Sequence, residues 1–154
     1  MKISRNAPAI IIAVILLIIY IMTYSAGAAP STSGKPTLAE TYQYLGAALE
    51  HAPTEHLYLI ELDQGNEVTA VRLIAEGNQT RLNFDIMEVI AIAEQDHANR
   101  IILLHNHPGG NTTPSPDDIY WMSETARDCA ASGILMVDAV ITGKDRVVSI
   151  PREA

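Results

Sequence analysis

The chain has 154 residues, 48% of them hydrophobic, and one cysteine, which leaves room for one folded domain and one membrane segment but excludes two domains and a disulfide framework. The formal net charge is −8, and the part after Tyr24 holds all 18 acidic residues with 8 of the 10 basic ones, for a net charge of −10. No cluster of lysine and arginine is present to displace counterions from a duplex, so nucleic acid is not an expected partner.

The first predicted element is a membrane segment. Residues 7–24 carry no charge and are about as long as a bilayer core requires. They follow a short n-region, residues 1–6, that contains Lys2 and Arg5, and the next basic residue is Lys35. The positive-inside rule therefore predicts a single-pass protein with its domain on the non-cytoplasmic side, periplasmic or extracellular.

The fate of this segment has two alternatives. Residues 26–28 resemble a signal-peptidase site, and cleavage there would give a secreted protein. We favour the other alternative, in which the segment is retained as a membrane anchor. The charge asymmetry amounts to two residues, and a cytoplasmic domain stays an alternative. Residues 25–36 are small and polar with two prolines, which predicts a flexible linker before a folded domain of residues 37–154.

The domain is predicted to begin with a helix and a hairpin. Thr37 and Glu40 form a capping-box pattern, and an apolar stripe continues toward residues 51–53, where His51 is a helix cap or solvated. Two strand-like runs, His56–Leu62 and Glu67–Ile74, flank a glycine-containing turn and predict a β-hairpin.

A second helix is predicted over residues 84–98, with His97 near its end and able to interact with the helix dipole. The apolar run 100–104 then predicts a buried strand. His105 and His107 follow where this strand ends, and in extended chain residues i and i+2 face the same side. Both imidazoles can therefore address one point while Asn106 faces away.

A turn rich in glycine and proline leads to a third helix. Ser115 is its predicted cap, and Asp118 lies within its first turn. Two imidazole nitrogens and one carboxylate suit Zn²⁺, and three protein ligands leave a fourth position open, which is the pattern of catalytic zinc sites. His105, His107 and Asp118 are thus the candidate zinc ligands.

A structural explanation exists for each half of this pattern. Ser115 and Asp118 could serve only as a capping box that satisfies free amides at the helix start. Histidines at strand ends often only hydrogen-bond to backbone. Both halves together, joined by a short turn, favour the metal site.

The third helix is predicted to run from Ser115 to Ser132, with Gly133 as its left-handed stop and Cys129 in the core. The strands 134–142 and 146–150 then form a closing hairpin around residues 143–145.

These residues resemble a known family. His-x-His, seven residues and then Ser-x-x-Asp is the signature of the JAB/MPN (JAMM) zinc metalloproteases, and His-Asn-His-Pro with Pro-Ser-x-x-Asp is most similar to their RadC-like branch. The resemblance extends to Thr54–Leu59, similar to the first strand of that branch, and to Gly133–Ser149, similar to its last two strands. It covers roughly residues 50–150.

The resemblance implies an α/β fold of the JAB/MPN (cytidine-deaminase-like) type, a mostly antiparallel sheet flanked by helices, here preceded by the transmembrane helix. It also implies a Zn²⁺ ion held by His105, His107 and Asp118. Ser115 would support the tetrahedral intermediate, and a glutamate from the first strand would be catalytic.

Glu55, at the predicted start of the first strand, matches that position. A water activated by a metal needs a proton acceptor that is not itself a ligand, and Glu55 is our candidate for this general acid/base. The alternatives are Glu61, which has the same facing in the strand, and Glu67 or Glu88.

One departure from the family pattern is Ala139, where RadC-like sequences commonly place a histidine after the residue equivalent to Asp138. The chain also offers no room for the insertions with which eukaryotic relatives hold ubiquitin. The sequence predicts a zinc-dependent peptidase or isopeptidase with a peptide or protein substrate. Two alternatives stay open: a non-catalytic, membrane-tethered binding module, and a RadC-like accessory protein of DNA maintenance.

Overall fold

The computed structural model describes residues 34–77, 84–143 and 146–151. The chain divides into two units, residues 1–36 and Thr37–Ala154, and the second holds every helix and strand described below. The predicted membrane segment, residues 7–24, lies outside the described residues, as does most of the predicted linker. Within the described ranges, no helix is both long enough and apolar enough to cross a bilayer.

The domain alternates helices and strands. In chain order they are α1 (Leu38–Leu49), β1 (His56–Leu62), β2 (Val68–Glu76), α2 (Ile86–Gln95), β3 (Arg100–Asn106), α3 (Pro116–Ala131), β4 (Leu135–Thr142) and β5 (Val147–Ser149). The strands form one five-stranded sheet in the order β2-β1-β3-β4-β5. Only the β3–β4 pair is parallel, and the other three pairs are antiparallel. The predicted α/β fold with a sheet flanked by helices is confirmed.

The central strands are buried on both faces. Leu57 and Leu59 of β1 pack with α2 and α3 on one face, and Ile60 and Leu62 pack with α1 on the other. Because both faces are covered, the middle of each strand is a continuous apolar run, residues 57–60 in β1 and 101–104 in β3, instead of alternating with polar residues. Burial of β3 continues to its last residue, so the strand delivers His105 to a largely dehydrated position.

The helix starts follow from local capping chemistry. Thr37 and Glu40 form the predicted capping box at α1, and Ser115 caps α3 in the same way. Gly133 ends α3 with φ of +76°, a conformation that glycine adopts without steric cost. Cys129 of α3 is fully buried in the core, as predicted.

The predicted bounds of the second helix were wrong. The expected range was 84–98, whereas α2 spans Ile86–Gln95. Asp85 accepts a hydrogen bond from the Met87 N–H and so fixes the start, and His97 adopts φ of +57°, which turns the chain toward β3. His97 is therefore outside the helix and exposed, and its interaction with the helix dipole stays a prediction.

Glu61 is a buried carboxyl at the far end of β1. It is 1% exposed, its Oε1 atom accepts no hydrogen bond from a described residue, and the Nε atom of Arg72 lies 3.7 Å away. Burial raises the pKa of Glu61, the nearby Asp96 carboxylate raises it further, and Arg72 lowers it. A raised pKa in the folded state means that ionisation of Glu61 opposes folding.

We predict that Glu61→Gln changes the pH dependence of stability. Its free energy of unfolding should equal that of the wild type in acid, where Glu61 is protonated in both states. As pH rises through the raised folded-state pKa, the wild type alone loses stability, so the variant should become more stable by on the order of 1 kcal/mol at pH 7. Urea unfolding at several pH values measures this difference. A wild type that gains stability over the variant as pH rises would contradict it.

Candidate metal centre

Three side chains from three parts of the chain meet at the end of β3. His105 is the second-to-last residue of that strand, His107 begins the following loop, and Asp118 is in the first turn of α3. The two imidazole Nε2 atoms are 3.1 Å apart. The Nε2 atom of His105 is 3.1 Å from Asp118 Oδ1, and that of His107 is 3.2 Å from Asp118 Oδ2. The described residues contain no other group of three such ligands so close together.

The loop from His107 to Ser115 brings the helix back to the strand. Gly109 and Gly110 both have positive φ and reverse the chain after the histidines. The loop then packs on Gly143 at the end of β4, where a Cβ atom would lie 2.5 Å from the Thr112 side chain and 2.9 Å from the Gly110 carbonyl oxygen. Only glycine at position 143 therefore permits the loop to lie so close to the sheet.

The Asp118 carboxylate takes part both in the cap of α3 and in the candidate metal centre. Its Oδ2 atom accepts hydrogen bonds of 2.7 Å from both the N–H and the hydroxyl of Ser115, and the Ser115 oxygen accepts one of 3.1 Å from the Asp118 N–H. The capping box considered as an alternative is thus formed, yet the same carboxylate also faces both imidazoles. The structural and the metal-binding interpretations of Ser115 and Asp118 are compatible.

The electrostatics favour an ionised carboxylate in this position. Burial opposes ionisation of Asp118, but hydrogen bonds from His105, His107 and Ser115 outweigh it and hold the pKa of this carboxyl far below its usual range. The hydrogen bond to Asp118 raises the pKa of His107, against the effect of burial. The carboxylate presents negative charge to a cation, and each imidazole presents an Nε2 lone pair once the proton on that nitrogen has been released.

The spacing of the donor atoms fits zinc. A zinc ion about 2.0 to 2.1 Å from each of three tetrahedral ligands separates them by roughly 3.3 Å. The Nε2–Nε2 separation of 3.1 Å is close to this value, and the two imidazoles lie 3.1 and 3.2 Å from different oxygens of the Asp118 carboxylate. The donor set therefore matches zinc in chemistry and in size, and it leaves a fourth direction for water or substrate.

The hydrogen bonds that would orient the candidate ligands are incomplete at His105. The Nδ1 atom of His105 is buried and has no hydrogen-bond partner among the described residues. Histidines that bind metal through Nε2 usually donate their Nδ1 hydrogen to a carbonyl or carboxylate. Ala139, the departure from the family pattern, lies on the adjacent strand in the same face of the core, and its side chain offers no acceptor.

Glu55 lies immediately before β1, which begins one residue later than predicted. Leu57 pairs with His105 across the β1–β3 ladder, so the same register continued by two residues places Glu55 opposite His107. Burial raises the pKa of Glu55, whereas His105 and His107 lower it and Asp118 raises it. The glutamate is therefore within electrostatic reach of all three candidate ligands.

The competing carboxylates lie elsewhere. Glu61 is four residues beyond Leu57, about 13 Å along β1 from the pair that contains His105. Glu67 is at the turn after β1, still farther along, and Glu88 is exposed on α2. Glu61 and Glu67 are therefore far from the centre along β1, whereas the register of that strand places Glu55 beside it.

Asn106 is a residue whose role the sequence did not reveal. It is 1% exposed, and its side chain accepts a hydrogen bond of 2.8 Å from the His56 N–H and donates one of 3.1 Å to the Thr54 carbonyl. These two contacts hold the backbone on both sides of Glu55. The only sequence signal was an amide at the end of an apolar strand, and its partners lie 50 and 52 residues away.

Comparison with known proteins agrees with this architecture. The chain is 34% identical over 111 residues to a UPF0758 protein of Bordetella avium, covering 72% of this chain and 49% of that protein. It is 27% identical over 122 residues to a UPF0758 protein of Coprothermobacter proteolyticus, covering 79% and 52%. The chain thus spans about half the length of these curated relatives. The family model described as a RadC-like JAB domain matches residues 36–154, and the chain therefore belongs to the RadC-like branch of the JAB/MPN family.

Proposed function

We propose that this protein is a zinc-dependent hydrolase of amide bonds in peptides or proteins. The observation that carries the proposal is the triangle of donor atoms from His105, His107 and Asp118, with Glu55 beside it. Membership of the JAB family, which includes metalloproteases, supports it.

The two histidines and Asp118 would hold the zinc ion. When bound, zinc supplies a Lewis acid that lowers the pKa of water to about 7 and polarises a carbonyl oxygen. The chain itself presents the ligands in a dehydrated setting, because His105 is 2% exposed at the end of a buried strand.

Glu55 would move the proton. It is near the ligands without being one of them, and burial raises its pKa, which makes it a stronger base than an exposed glutamate. It would accept a proton from the attacking water and deliver it to the leaving amine.

The main role of Ser115 would be to position the Asp118 carboxylate, to which it donates hydrogen bonds from its N–H and its hydroxyl. Its expected contact with a tetrahedral intermediate stays a prediction, and it requires the hydroxyl hydrogen to turn away from Asp118.

We further propose that residues 7–24 tether the domain to a membrane, with the domain on the non-cytoplasmic side. This proposal rests on the uncharged length of the segment and on the basic residues Lys2 and Arg5 before it.

The proposed role of Glu55 predicts that Glu55→Gln lowers turnover of a mixture of fluorogenic peptides by about 100-fold to 10,000-fold, because the proton acceptor is lost. Zinc content, measured by mass spectrometry, should stay at the wild-type level, since Glu55 is not a ligand. The matched control is Glu67→Gln, which removes a carboxylate at the far end of β1.

Wild-type turnover in Glu55→Gln would contradict the hydrolase proposal and favour the binding module. Loss of zinc from this variant would instead show that Glu55 is a ligand.

The contacts of Asn106 predict a positioning role. Asn106→Ala removes both hydrogen bonds that hold the backbone around Glu55, and a displaced base should lower kcat by roughly 10-fold to 100-fold with less effect on KM. Zinc content should not change. Asn106→Asp keeps the acceptor for the His56 N–H and should be less impaired than the alanine variant.

Asn99→Ala, at an exposed position before the same strand, is the control for Asn106. Circular dichroism establishes that each variant is folded. A folded Asn106→Ala protein with wild-type kcat would contradict the positioning role.

A further inference from the structure

A groove of about 340 Å³ lies between the start of α2 and the outer side of α3. Both helices begin at the end of the sheet that carries the candidate metal centre. Trp121, in the groove, follows Asp118 by three residues, or about 4.5 Å along the helix axis, and Asp128 follows by ten, or about 15 Å. The groove thus starts beside the centre and runs away from it along α3.

Aromatic rings form part of its wall. Trp121 is 46% exposed and Tyr120 is 52% exposed, and their rings meet edge to face with centroids 5.5 Å apart. Phe84, at the entry to α2, lines the opposite side. Neighbouring exposed aromatic side chains are typical of binding surfaces.

The groove is also acidic. Asp85, Glu124 and Asp128 line it, and no described lysine or arginine does. Glu124 is paired with Arg127 at 2.6 Å, and Asp85 uses one oxygen to cap α2. The carboxylate of Asp128 forms no hydrogen bond or ion pair with a described residue, so its charge is available to a ligand.

We propose that this groove binds the side chain of a lysine or arginine in the peptide substrate, an inference that rests on the proposed hydrolase function. The ring face of Trp121 attracts a cation, and the carboxylates of Asp128 and Asp85 complement its charge. The stretch from Trp121 to Asp128 is about 10 Å long, the length of roughly three extended residues. Because Asp128 lies about 15 Å beyond Asp118 along the helix axis, the basic residue lies within about five residues of the bond that is cleaved.

Trp121 is the single tryptophan of the chain, so its fluorescence reports directly on the groove. The protein for the test is the full chain, loaded with zinc and carrying Glu55→Gln to prevent turnover. The probes are three acetylated and amidated octapeptides that differ at one position, which holds lysine, norleucine or glutamate. Only the lysine peptide should produce a saturable change in emission, and 500 mM salt should weaken that response.

Asp128→Asn in the same background should raise the Kd of the lysine peptide about 2-fold to 5-fold, as expected for the loss of one exposed charge pair. Glu94→Gln removes an exposed carboxylate at the other end of α2 and should leave the Kd unchanged. Equal affinity for the lysine and norleucine peptides would overturn the proposal. So would equal effects of Asp128→Asn and Glu94→Gln.

The experiments give different results if the groove does not bind a basic side chain and if the protein is not a hydrolase. Cleavage of all three peptides by the wild type at equal rates, without a tryptophan response, overturns the groove alone. Lysine-selective binding without cleavage of any peptide supports the groove and overturns the hydrolase function.

Discussion

The carboxylate of Asp118 is the group on which the site depends. The N–H and hydroxyl of Ser115, the residue that caps α3, donate hydrogen bonds to one of its oxygens. Its two oxygens also face the imidazoles of His105 and His107. The capping box that starts α3 therefore also fixes the direction in which the Asp118 carboxylate faces the two imidazoles. A serine at the cap gives the aspartate a fixed direction that an isolated surface carboxylate would not have.

The sheet positions the remaining groups. The β1–β3 ladder places the start of β1 beside the end of β3, and Asn106 fastens the backbone around Glu55 at that junction. The glycine at position 143 lets the loop between His107 and Ser115 lie against the end of β4. The candidate ligands and the proposed base thus come from parts of the chain whose relative placement is set by a buried sheet and not by the loop alone.

Much of this arrangement could be predicted from local patterns. The two-residue period of an extended chain predicted that His105 and His107 share a side, and Ser-x-x-Asp predicted the start of α3. The end of α2 could not be predicted, because the left-handed turn at His97 interrupts a sequence that still has helical character. The partners of Asn106 depend on strand pairing across about 50 residues, and the groove between Phe84 and Trp121 depends on how two helices pack. Neither leaves a periodic signal in the sequence.

We propose that His105, His107 and Asp118 bind one zinc ion. Metal analysis of the purified wild type and of His107→Ala, both shown to be folded, tests it most directly. The wild type should contain about one zinc per chain and the variant much less, because two protein ligands hold zinc more weakly than three. Equal zinc content in the two proteins would contradict the assignment of the site.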